Sequence, residues 1–82
     1  MNKCLILSHL REAHEELTRT IARIESEAAV DEIEFEIAVA HAYNHLNTAW
    51  NARAVSDERM AASSEDDFYA WRAFPSDISM GR

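Results

Sequence analysis

The stretch Ile37 to Ala52, I-A-V-A-H-A-Y-N-H-L-N-T-A-W-N-A, contains no Asp, Glu, Lys or Arg. It lies in a long segment free of Gly and Pro, so the strongest helix breakers are missing and a helix is predicted from about Glu32 to Val55. Phe35, Val39, Ala42, Tyr43, Leu46, Ala49 and Trp50 recur at helical spacing as one wide apolar face, expected to meet a neighbouring helix. Ile33, Ile37, Ala40, Asn44, Asn47 and Asn51 form a second stripe on the far side, flanked by His41 and Thr48. A helix with water behind it normally carries charge there, so this one is predicted to be covered on two sides.

On the N-terminal side, Leu7, Leu10, His14, Leu17, Ile21, Ile24 and Ala28 follow at spacings of three and four, widened by Ile6, Ala13 and Thr20. They predict an amphipathic first helix over about 3–28, with Arg11, Glu12, Glu15, Glu16, Arg19 and Arg23 in water and Glu15 placed to pair with Arg19. Asp31 is a natural N-cap with Glu34 three residues on, and Val30 and Phe35 occupy the positions of a hydrophobic staple. The connection is therefore short, and a short connection makes the two helices antiparallel neighbours.

On the C-terminal side the pattern leaves two endings open. Either Ser56-Asp57-Glu58 caps a new turn after Val55, or the second helix runs on to Ala62. Ser63-Ser64-Glu65-Asp66-Asp67 then opens a short helix over about 65–74, with acids where the helix dipole favours them and Phe68, Ala70, Trp71 and Phe74 on one face. Pro75 stops it, and the tail 75–82 is expected to fray after Pro75.

The whole chain of 82 residues reads as one small all-α domain: an antiparallel helical hairpin plus a short C-terminal helix, two copies pairing through their second helices as a four-helix bundle. A domain this short buries only about 60% of its unfolded surface, which makes association an expected source of stability. The interface expected from the second stripe is Ile33, Ile37, Ala40, Asn44, Asn47 and Asn51, the asparagines acting as interior amides that fix register. Hydrophobic residues make up 48% of the chain, too many for a disordered segment. A net charge of -7 opposes direct binding to nucleic acid and leaves a basic protein partner open. No stretch approaches membrane-spanning length, and a single cysteine, Cys4, suits a reducing compartment, so a cytoplasmic location is expected.

Little in the sequence points to catalysis. His41 and His45 stand four apart, the spacing that lets two imidazoles on one helix reach one metal ion. A divalent transition metal is the cofactor this pair would take, with His14 or Glu34 as further ligands or a symmetry-related pair in a dimer. Against a metal, such pairs also occur as polar residues beside an interface. His14 lies in the apolar stripe of the first helix and reads as a core histidine donating to Tyr43 or Asn47. His9 is read toward the charged face, with no role. Cys4 has no base beside it and is not read as a nucleophile. Glu25, Glu27, Asp31, Glu32, Glu34 and Glu36 gather at the elbow, an acidic patch that ordinarily serves solubility.

Three functions follow in order. The first is a non-enzymatic interaction or regulatory module acting as a homo-oligomer. The second is a metal-binding protein using His41 and His45. The third is an acidic binder or inhibitor of a basic, nucleic-acid-associated protein.

Overall fold

Four short polar side chains start four helices. Oxygen atoms of Asn2, Asp31, Ser56 and Ser64 accept from the backbone amides of Leu5 (3.2 Å), Glu34 (2.7 Å), Arg59 (3.1 Å) and Asp67 (3.2 Å), satisfying donors that a helix start leaves without partners. The elements they open in the computed structural model are α1 (Lys3–Glu25), α2 (Glu32–Asn51), α3 (Asp57–Ala61) and α4 (Glu65–Arg72). Residues 1–26 and 29–79 are described, and no strand occurs among them. The predicted end of the first helix at Ala28 lies outside the described residues; α1 stops at Glu25, where the Ser26 hydroxyl donates back to the Arg23 carbonyl at 2.9 Å.

Contacts between α1 and α2 step along an antiparallel hairpin: Asn2 with Arg53, His9 with His45, Glu16 with His41, and Arg23 with Glu34. The seam is made of small and polar residues. On α1 the covered positions are Leu5, Ile6, His9, Ala13, Glu16 and Thr20; across from them stand Ala38, Ala42, His45 and Ala49 of α2, and Ala52 just after its end. Among the described residues, Ala13, Ala42, Ala49 and Ala52 form the buried hydrophobic core, and alanines on both sides let two helices approach closely.

This corrects the expected packing. Of the stripe expected against α2, Leu7, Leu10, Leu17, Ile21 and Ile24 are exposed, while Ile6, Ala13 and Thr20 at its margin are covered; of the face expected on α2, Ala42 and Ala49 are buried and Val39 and Trp50 half-buried, but Phe35, Tyr43 and Leu46 are exposed. Each helix is turned by about one residue, roughly 100°, from the setting its apolar stripe suggests. Because the chains run antiparallel, the two displaced stripes emerge on the same side of the hairpin, where Leu10 and Leu46 line one groove together with Ile6 and Trp50.

The second helix ends earlier than expected, at Asn51, and a separate short helix follows, as the Ser56 cap allows. The Asn2 amide donates to the Arg53 carbonyl at 2.7 Å, and Asn2 Nδ2 donates to the Val55 carbonyl at 2.8 Å and to Asp57 Oδ1 at 3.0 Å. These bonds hold a turn between α2 and α3 that no Gly or Pro marks in the sequence. α4 then folds back onto α2. Its start is a reciprocal cap, Ser64 N donating to Asp67 Oδ2 at 3.0 Å, and Arg59 of α3 donates to the same carboxylate at 2.7 Å.

The tail was expected to fray after Pro75; residues 76–79 are exposed, but Pro75 and Asp77 anchor the segment to the end of α2. Pro75 is buried, and Trp50 Nε1 donates to Asp77 Oδ1 at 2.9 Å while Arg53 stacks 3.9 Å from the centre of the Trp50 rings. Met80 to Arg82 lie outside the described residues.

Candidate functional site

The hairpin has two unlike faces. One is the open apolar face just described. The other is polar, carries the asparagines and histidines of α2, and is partly roofed by α4.

The asparagine stripe is divided between these surroundings. Asn47 Nδ2 donates to the Arg72 carbonyl at 2.8 Å, and Asn51 Nδ2 donates to the carbonyls of Trp71 at 2.9 Å and Ala73 at 2.8 Å. These are the carbonyls that the end of α4 leaves without helical partners. The uncharged flank of α2 is thus covered at Asn47 and Asn51 by the chain's own fourth helix. Asn44 lines a cleft beside α4, Ala40 is exposed, and Ile33 and Ile37 remain 68% and 64% exposed near the elbow.

The cleft has a volume of about 240 Å³ and is lined by His9, His41, Asn44, His45, Thr48, Phe68 and Arg72. His9 and Glu16 lie two turns apart on α1, and His41 and His45 one turn apart on α2, so the antiparallel register brings all four together. His9 Nδ1 lies 2.9 Å from His45 Nδ1, His45 Nε2 lies 3.1 Å from His41 Nε2, and His41 Nδ1 lies 3.1 Å from Glu16 Oε2. A carboxylate accepts and never donates, so His41 carries a proton on Nδ1, and in the neutral imidazole this leaves the lone pair on Nε2.

Burial in this seam pushes His9 below the ordinary histidine range, repulsion from His45 adds to it, and Glu12 pulls the other way. His45 is lowered for the same leading reason, burial, and then by His41 and Arg72, against Glu12 and Glu16. Hydrogen bonds from Arg19 and then His41 hold the Glu16 carboxyl below the usual carboxylate range. Neutral imidazoles at His9 and His45 and an ionised Glu16 carboxylate are therefore favoured together at neutral pH.

The structure brings together His41 and His45 from the predicted ligand set and leaves the others out. His14 is exposed on the apolar stripe of α1 and does not line the cleft, so the core role expected for it, with donation to Tyr43 or Asn47, is not the arrangement adopted. Glu34 is held by Arg23 at 3.1 Å at the elbow. Arg19 pairs with Glu16 rather than with Glu15. The residues that sequence reasoning passed over are His9 and Glu16. A signal existed in the run Ile6, His9, Ala13, Glu16, Thr20, which repeats at three and four and matches the alanine seam of α2 in size.

Among the described residues, no set of three or more His, Cys, Asp or Glu side chains converges on one metal position. At the elbow Glu25, Asp31, Glu32, Glu34 and Glu36 are exposed, while Glu27 lies outside the described residues. Cys4 is exposed. Among the described residues no helix is long and apolar enough to cross a membrane. Compared with protein-family models, curated proteins and solved structures, the chain matches none.

Proposed function

We propose that the protein is a self-associating helical interaction module, and that two copies pair through the open apolar face of the hairpin to complete a four-helix bundle. The observation that carries this reading is the contrast between four buried alanines and the large side chains left in water: Leu7, Leu10, Leu17, Ile21 and Ile24 on α1, with Phe35, Tyr43 and Leu46 on α2. Monomeric soluble proteins rarely leave a broad apolar face open.

The magnitudes agree. The accessible surface is 6250 Å², whereas a monomer of 9.4 kDa ordinarily exposes about 5,000 Å². The excess is of the order of the roughly 800 Å² that each partner contributes to a standard interface. The radius of gyration is 14.6 Å, against about 12 Å for a compact chain of this length. Leu7, Leu10, His14, Leu17, Ile21 and Ile24 keep a strict three-four repeat, the spacing of a seam between helices. The apolar face is favoured over the asparagine stripe because Asn47 and Asn51 already bond to α4.

Native mass spectrometry and sedimentation of the tag-free chain test this. The expected result is a dimer that Leu17→Glu together with Ile21→Glu converts to a monomer. A wild-type chain that stays monomeric at its highest soluble concentration would remove the reading.

A further inference from the structure

The contacts that His45 makes with its two histidine neighbours differ in kind. Two imidazoles meeting head-on through one nitrogen each have ring centres about 2.3 Å further apart than those nitrogens, and a straight N–H···N bond needs this arrangement. His9 and His45 meet it, with nitrogens 2.9 Å and centres 5.2 Å apart. His41 and His45 do not: their nitrogens are 3.1 Å apart, yet their centres are only 4.8 Å apart. Their Nε2 directions are bent away from a straight line. Two imidazoles whose nitrogens both point at one ion about 2.05 Å away, and lie 3.1 Å apart, subtend about 97° at it, narrower than a tetrahedral and wider than a square angle, and have their centres about 4.8 Å apart.

We infer that His41 and His45 bind a divalent transition-metal ion through their Nε2 atoms, with Glu16 and His9 as the partners that orient the two rings. Glu16 accepts from His41 Nδ1–H, the carboxylate–histidine–metal arrangement that fixes the tautomer and raises ligand basicity. His9 does the equivalent for His45: with the shared proton on His45 Nδ1, both Nε2 lone pairs are free for the ion. The ion occupies a two-histidine site, and water from the adjoining cleft completes its shell. Imidazole nitrogen suits zinc, nickel and copper(II). Glu12 and Glu16 supply nearby negative charge; Arg72, stacked 4.4 Å from the centre of the Phe68 ring, opposes it from the roof of the cleft.

The probes are Zn²⁺, Ni²⁺ and Cu²⁺ salts titrated calorimetrically into the full, tag-free chain. The expected stoichiometry is one ion per chain, whether the chain is monomeric or dimeric, so the result stands apart from the proposed association. His41→Ala and His45→Ala should each abolish this binding. Glu16→Gln and His9→Ala should keep the stoichiometry and weaken affinity about 10- to 100-fold, the usual cost of losing an orienting partner. His14→Ala should change nothing. In the unaltered protein, ¹⁵N spectra of the imidazoles should show Zn²⁺ shifting the Nε2 signals of His41 and His45 and leaving His14 in place, a readout independent of how the variants fold. Binding of no ion, binding that survives His41→Ala, or shifts confined to other histidines would overturn the assignment.

Discussion

Asn47 Nδ2 lies 2.8 Å from the carbonyl oxygen of Arg72, a bond between the middle of α2 and the last turn of α4. Asn47 is one of two buried polar residues among the described ones, so this bond is sheltered from water. Asn47→Ala removes the donor and leaves the Arg72 carbonyl without it, which should cost about 1–2 kcal/mol in urea denaturation. The Trp71 emission should shift to the red as α4 loosens. The mass in solution should not change, because the variant lies on the face opposite the proposed interface. A variant as stable as the parent would show that α4 is held by something else.

Leu17 is 48% exposed in the single chain. In a monomer, Leu17→Ala would therefore cost under about 1 kcal/mol, as surface truncations do. With the apolar face covered by a second copy, the same change should cost about 2–5 kcal/mol, the range of a core truncation. The wild-type melting temperature should also rise with protein concentration, since a partner that binds only the folded state stabilises it by mass action. A small loss together with a concentration-independent melt would contradict the pairing.

Local features of this fold were legible, and the rotation of the helices was not. The caps at Asp31 and Ser64 depend on a few consecutive residues, so they could be read and they hold. The first and second helices and their antiparallel order also follow from spacing. The stripe on α1 was misplaced because hydrophobic periodicity finds the largest side chains, whereas the seam formed where side chains are smallest. Ala13 on α1 and Ala42 and Ala49 on α2 are buried there, and the leucines were carried to the outside. The same error hid the histidine cluster: once α1 turns by one residue, His9 moves from the charged side into the seam beside His45.

Asp67 and Asp77 tie α4 and the tail to the rest of the chain, and both carboxyls lie below the ordinary aspartate range. For Asp67 the backbone amide of Ser64 is the main cause and Arg59 the next; for Asp77 it is the Trp50 indole N–H, then its own backbone amide, then Arg53. A folded value below the unfolded one means the folded state binds fewer protons, so this stability is present above about pH 4 and is lost as the pH falls through the lowered values. In an acid titration followed by NMR, the amides of α4 and the Trp50 indole signal should move together below about pH 4, before the amides of α1. Asp67→Asn should weaken α4 at neutral pH and remove most of the acid response of its amides. An unchanged acid response in that variant would assign the titration to other groups.

Asn2 is the residue on which the end of α2 depends. Its Oδ1 caps α1 at Leu5, while its Nδ2 and backbone amide reach Val55, Asp57 and Arg53, more than fifty residues away in sequence. Asn2→Asp keeps an oxygen for the cap and replaces the Nδ2 donor with a second acceptor facing the Val55 carbonyl and the Asp57 carboxylate. Asn2→Ala loses both functions. If the cap alone mattered, Asn2→Asp would be neutral and Asn2→Ala would cost about 1 kcal/mol. With the long-range bonds holding the turn, Asn2→Asp should be as damaging as Asn2→Ala or more so, because it faces one carboxylate with another. Hydrogen exchange locates the effect: the amides of Arg53, Val55 and α3 should lose protection in both variants, and the first turn of α1 should lose it in Asn2→Ala alone. Protection at Val55 that survives Asn2→Asp would mean that α2 ends at Asn51 for a reason within its own sequence.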